Sequence, residues 1–132
     1  MTVRRKASPP RPTDGELQIL RVLWERGPST VREVQEAHEE ARRTGYTTVL
    51  KLLQIMTEKG LVRRDETERA HVYQARVPRE ETERQLVGDL LDRAFAGSAS
   101  TLVMRALSSK RTSTEELARI RRLLDELEGA GR

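Results

Sequence analysis

The 132-residue sequence contains no cysteine, which excludes disulfide frameworks, thiolate zinc sites and cysteine nucleophiles. Aromatic residues make up 3% of the chain and hydrophobic residues 36%. The interior must therefore be built from Leu, Val, Ile and Ala, with little room for a large ligand pocket. Only two histidines occur, His38 and His71, in different segments and without a carboxylate at ligand spacing. A metal site needs three or four converging donors, so none is expected. The eight glycines mostly punctuate elements and form no phosphate-cradling loop. Glu39-Glu40 and Glu80-Glu81 are neighbours in sequence, so on a helix they point in different directions and make poor acid/base pairs. No enzymatic activity and no cofactor are expected. No apolar run approaches the length of a membrane span. Met1 leads into a basic, proline-rich segment without the apolar core of a signal peptide. The expectation is a soluble cytoplasmic protein that makes no use of a membrane.

What charge there is lies unevenly. The formal net charge is +4. Residues 1–78 hold 15 Lys/Arg against 11 Asp/Glu, while residues 79–132 hold 10 against 10. The whole excess falls in the first part, as suits a nucleic-acid binder joined to a separate assembly module.

That first part is organised around Gly45–Gly60, GYTTVLKLLQIMTEKG. Val49, Leu52, Leu53 and Met56 recur at i, i+3, i+4 and i+7, the spacing of one buried helix stripe. Gly60 sits where the helix stops, with Lys59 in the last turn facing the negative end of the dipole. The opposite face carries Thr47, Thr48, Lys51 and Gln54. Short hydroxyls, a cation and an amide can hydrogen-bond base edges and phosphates from a helix lying in a major groove. The same face would equally suit an ordinary amphipathic helix; the order of the flanking elements favours the first reading.

Residues 1–12 lack periodicity and read as a disordered basic arm carrying Arg4, Arg5, Lys6 and Arg11. Thr13 and Glu16 make a capping box opening a helix to Arg26, with Leu17, Leu20, Leu23 and Trp24 on its stripe and Gly27-Pro28 ending it. Trp24 is expected in the core. Thr30 and Glu33 form a second capping box; Val31, Val34, Ala37 and Ala41 give that helix a thin apolar face. The connection from Arg42 to Gly45 carries two adjacent cations, Arg42 and Arg43, which would lie near a DNA backbone if the next helix entered a groove. After Gly60, the segments 61–64 and 70–75 read as two strands flanking a polar tip at residues 65–69. An isolated hairpin is marginal in water, so Val62, Val72 and Tyr73 should pack on the helices. His71 reads as a wing residue near phosphate or simply as a strand surface residue. Three helices and a hairpin make residues 13–77 a winged helix-turn-helix DNA-binding domain.

Pro78 marks the start of a second, helical part over residues 78–132. The segment from Arg79 to Phe95 places Leu86, Leu90 and Ala94 on one line and Val87, Leu91 and Phe95 beside it. Leu102, Val103, Ala106 and Leu107 indicate a short helix. Ser113 and Glu116 open a last one with Leu117, Ile120, Leu124 and Leu127 on its stripe, fraying from Glu128 onward. Residues 79–132 are too few, and their apolar stripes too wide, to close a core alone. Two copies would bury each other's leucines, so a symmetric homodimer is expected through Leu86, Leu90, Leu91, Phe95, Leu117, Ile120, Leu124 and Leu127. The fold class is mainly α with a small β-hairpin wing. A docking scaffold without DNA binding is the rival reading of the same elements.

The chain resembles the penicillinase-repressor family of bacterial transcription regulators, which includes the methicillin-resistance repressors and the copper-responsive operon repressors. The resemblance runs from about Pro12 to Leu127. It rests on PTDGELQILRVLW at Pro12–Trp24, GYTTVLKLLQIMTEKGLV at Gly45–Val62, RAHVY at Arg69–Tyr73 and LVGDLLDRAFAGSASTLV at Leu86–Val103. It implies a dimeric repressor that binds a two-fold-symmetric operator in double-stranded DNA and blocks transcription of resistance or stress genes. By position, base reading would fall to Thr47, Thr48, Lys51 and Gln54, with Tyr46 near the backbone. The wing's phosphate contacts would fall to Arg63, Arg64 and Arg69. The β-lactam-responsive members are cut by a sensor protease at an Asn-Phe bond, where this sequence has Arg105-Ala106. The copper-responsive members carry a cysteine-rich motif that is absent from this sequence.

Overall fold

A computed structural model describes residues 10–109 and 111–131. The basic arm therefore lies outside the described residues up to residue 9, as does Arg132 at the other end. Thr13, in extended conformation, caps helix α1 (Asp14–Arg26), and both halves of the capping box with Glu16 are made. A two-residue strand, β1 (Ser29–Thr30), follows. Thr30 serves at once as its last residue and as the cap of α2 (Val31–Ala37), again with a complete box through Glu33. The helix expected to continue through Ala41 breaks at His38, whose backbone is extended, and resumes as α3 (Glu39–Thr44). Arg42 and Arg43 thus stand on a short helix rather than in a connection. Gly45, at φ 90°, turns the chain into α4 (Tyr46–Lys59).

Gly60 stops α4 in the left-handed region, its N–H bonded back into the last turn. The wing is β2 (Val62–Asp65) and β3 (Val72–Ala75). The tip therefore spans residues 66–71, one residue longer than expected. The pair is not a lone hairpin. β1 adds to the far side of β3, giving an antiparallel sheet of order β1-β3-β2, with Ser29 opposite Tyr73 and Arg64 opposite Tyr73 on its other edge. A third strand supplies what two lack in water. Val62 and Tyr73 are buried, while Val72 is only half-buried.

The core joins α1, α2, α4 and the wing. Ile19, Leu20, Val22 and Leu23 of α1 meet Val31 and Val34 of α2, Val49, Leu53 and Met56 of α4, and Leu61, Val62 and Tyr73 of the wing. Each such side chain contributes about 1.5–3 kcal/mol by leaving water. Leu52, on the expected stripe, packs against the margin of this cluster, as does Trp24. The indole is not fully interior because its N–H donates to Val77 O at 2.9 Å, and the Arg79 guanidinium lies 5.9 Å from the ring centroid.

Glu16 carries an interaction that its cap role does not reveal. It is 2% exposed, and its carboxylate accepts from Lys59 Nζ at 2.6 Å as well as from the Thr13 N–H at 2.9 Å. Lys59 also donates to Arg11 O at 3.2 Å. The C-terminal cation of α4 is thus spent on tying α4 to the start of α1. Burial alone would raise the Glu16 carboxyl. The Lys59 bond and charge and the two Thr13 bonds outweigh it and hold the group below its ordinary 4.5.

The chain divides after Val87 into two compact units. Every buried side chain among the described residues lies in the first, Thr82 being the last of them. Helix α5 (Arg79–Ala94) runs into the second unit and ends where Ala96 and Gly97 both take positive φ and Gly97 N–H bonds to Leu91 O at 2.9 Å. Then come α6 (Ala99–Ser109) and α7 (Thr114–Ala130). Ser113 caps α7 by accepting from Glu116 N–H at 3.0 Å, the first half of the expected box. The helix persists through Ala130, past the expected fraying point. Glu126 and Glu128, good helix formers, carry it there. Among the described residues, no helix is long and apolar enough to cross a membrane.

Candidate nucleic-acid interface

Burial of Val49, Leu53 and Met56 fixes the rotation of α4, and so fixes what it shows to solvent. Thr47, Thr48, Lys51 and Gln54 are all exposed, together on the outward face. Tyr46, at the first turn, is 45% exposed. Two further residues belong to this face: Ile55, 36% exposed, and Glu58. The spacing held a signal for Ile55. Leu52-Leu53-Gln54-Ile55-Met56 has one apolar residue more than a stripe of period 3.6 can bury.

Two clefts flank the helix. On one side Gln54 and Glu58 of α4 line a cleft of about 280 Å³ with Arg64 of the wing. On the other, Tyr46 shares a cleft of about 400 Å³ with Arg69 and His71 of the wing and with Arg32 at the start of α2. Seven of the sequence-derived residues are thus gathered around α4: Tyr46, Thr47, Thr48, Lys51, Gln54, Arg64 and Arg69, with His71 beside them. Arg42 and Arg43 are exposed on α3, and Arg43 is paired with Glu39 at 3.3 Å. Arg32 was not singled out by sequence.

The wing's cations differ in availability. Arg64 Nη2 lies 3.0 Å from Glu66 Oε1, and His71 Nε2 lies 3.8 Å from the same oxygen. With its amide oxygen turned toward Arg63, Gln74 accepts from Arg63 Nε at 3.2 Å and Nη2 at 2.8 Å. Arg69 has no hydrogen-bond or ion-pair partner among the described residues. The tip carries Glu66 and Glu68 alongside Arg69 and His71. Asp65 Oδ1 accepts from both the N–H and the hydroxyl of Thr67, and these bonds hold its carboxyl below the usual range.

Along α5 and α7, the residues expected at a dimer seam are not fully buried. Leu90, Leu124 and Leu127 are exposed, the last at 60%, and Leu86, Leu91, Phe95, Leu117 and Ile120 are half-buried. Val103 and Met104 of α6 and Leu123 of α7, outside the expected set, are exposed as well.

A three-stranded wing, a helix held by its apolar side with a polar face outward, and trailing amphipathic helices define a winged helix-turn-helix protein with a helical C-terminal region. The penicillinase repressor family matches residues 12–126, and the chain belongs to that family. It is 36% identical over 117 residues to the "Transcriptional regulator BlaI" of Mycobacterium tuberculosis, in two strains, covering 87% of this chain and 83% of the relative. It is 21% identical over 117 residues to the "Penicillinase repressor" of Bacillus licheniformis, covering 89% of this chain and 91% of that one.

Proposed function

We propose that the protein is a homodimeric transcriptional repressor that binds a two-fold-symmetric operator in duplex DNA and acts in the cytoplasm on resistance or stress genes. The observation that carries this reading is the outward face of α4, where Thr47, Thr48, Lys51 and Gln54 are exposed while Val49, Leu53 and Met56 anchor the helix. The names of its relatives, a transcriptional regulator and a penicillinase repressor, support it. Residues 13–77 act as the DNA-binding domain and 78–132 as the dimerisation domain. Each protomer lays α4 in a major groove and its wing along the flanking backbone, with half-sites about one turn, roughly 34–36 Å, or somewhat more apart. Occupying a promoter excludes polymerase. Ile55, as the apolar member of the face, meets a thymine methyl.

Two measurements test this. If about five phosphates are met per protomer, log K for duplex falls with log salt at a slope near −9 for the dimer, using roughly −0.9 per contact. A flat response would instead favour a protein-docking scaffold. Lys51→Ala removes an exposed cation from that face, and should cost about 1–3 kcal/mol of specific binding if it reads a base. Unchanged operator preference in that variant would mean the reading face is misassigned.

A sensor protease is a further proposed partner. Arg105-Ala106, where related repressors have Asn-Phe, lies inside α6. A protease needs its substrate extended, so cutting there requires α6 to unwind first.

A further inference from the structure

The cleft between the start of α2, the first turn of α4 and the end of the wing's tip leading into β3 has a lining of one chemical kind. Its polar side chains are those of Thr30, Arg32, Tyr46, Arg69 and His71, and no carboxylate lines it. All five can donate hydrogen bonds, and two are permanent cations. Glu66, outside that lining, lies 3.8 Å from His71 and is itself bound by Arg64 at 3.0 Å. Neither Arg32 nor Arg69 has a partner among the described residues. Two unengaged guanidiniums facing one open cleft repel each other, and the fold keeps them there without a compensating anion. Helix stability does not favour Arg32 either. It occupies the first turn of α2, where a cation meets the positive end of the dipole.

We infer that this cleft seats a backbone phosphate of the bound duplex, clamped between Arg32 from α2 and Arg69 from the wing, with Tyr46 and His71 completing the donor set. The inference rests on the reading of the chain as a duplex-DNA binder and adds to it a site and a residue. The duplex is the occupant because the cleft is open and shares Tyr46 with the groove-facing helix. A strand running beside α4 must pass its mouth. The guanidinium fork matches phosphate geometry, and contacts from two elements fix the register of α4 without carrying sequence information. Arg64 and Arg63, engaged within the wing, would have to leave their partners to do the same.

The test is an anisotropy titration of full-length protein on a fluorescent duplex that the protein itself selects from a random pool, repeated on an unselected duplex, with salt varied from about 50 to 200 mM. Arg32→Gln should make the slope of log K on log salt shallower by about 0.9 per protomer, which is roughly eightfold in affinity per protomer near 0.1 M salt. The loss should be the same on both duplexes. Arg69→Gln should do likewise, and Arg32→Lys should restore the slope while recovering only part of the affinity, because a point charge replaces a fork. Arg32 is exposed, so the unfolding midpoint should not fall. An unchanged slope in Arg32→Gln, beside a wild type that binds with steep salt dependence, overturns the phosphate site and leaves DNA binding intact. A loss confined to the selected duplex overturns it too, by making Arg32 a base reader. A wild type that binds neither duplex overturns the DNA reading and the site together.

Discussion

Leu124→Glu is expected to convert the dimer to monomers and to lower operator affinity more than any single change on the groove-facing helix. Leu124 and Leu127 are more than half exposed on α7, in line with the half-buried Leu117 and Ile120. No described residue beyond Thr82 is more than half-buried. A two-fold seam through these leucines meets itself, so one substitution introduces two carboxylates into the same apolar contact. An uncompensated charge buried there costs several kcal/mol. Glutamate favours helix, and the site is solvent-facing in the single chain, so helicity by circular dichroism should be unchanged. Sedimentation should report a single-chain mass, and the salt slope should fall by half, to roughly −4.5. An intact dimer in this variant would show that the seam lies elsewhere.

The second large effect is on stability. Lys59→Met should destabilise the winged unit by roughly 2–4 kcal/mol at neutral pH, somewhat less than a fully interior pair because the lysine is partly exposed. The variant leaves the Glu16 carboxylate, 3% exposed at its side chain, without the ammonium at 2.6 Å. The bond it still accepts from the Thr13 N–H cannot offset the desolvation. The pH dependence carries the sign of the cause. In the wild type the Glu16 pKa lies below its ordinary 4.5, so the stabilisation is complete above that pH and is lost as pH falls through the folded-state value. In the variant, burial pushes the carboxyl above the ordinary value, and the penalty is relieved as it protonates. Urea midpoints of the two proteins should therefore be far apart at pH 7 and should converge on acidification below about 4.5. A gap that stays constant with pH would mean the loss comes from the lysine stem's packing.

Local signals in this chain were legible because their partners are close in sequence. The boxes of Thr13 with Glu16 and Thr30 with Glu33 each close within one turn, and both are complete. The stripe Val49, Leu52, Leu53 and Met56 gave the rotation of α4, and with it the outward Thr47, Thr48, Lys51 and Gln54. Strand β1 was not legible. Two residues carry no periodicity, and Ser29-Thr30 is a strand only because Tyr73 and Val72 lie beside it. The break at His38 was hidden because Val34, Ala37 and Ala41 keep helical spacing across it and no glycine or proline marks it. In sequence, the dipole of its own helix is the only partner visible for Lys59. Glu16, 43 residues away, is the partner that folding supplies. Arg32 escaped notice for the same reason, since nothing around it in sequence is basic, and Arg69 shares its cleft only in three dimensions.

The confinement of every buried side chain to the stretch ending at Thr82 has a consequence for how such a protein can be switched off. A backbone scission within α6 removes nothing from the interior that shapes the groove-facing helix. The severed heads would keep their intrinsic grip on a half-site and lose only the gain from tethering, the effective concentration that makes the second contact nearly free once the first is made. The regulated quantity would then be avidity, and silencing could be abrupt while each head stays folded.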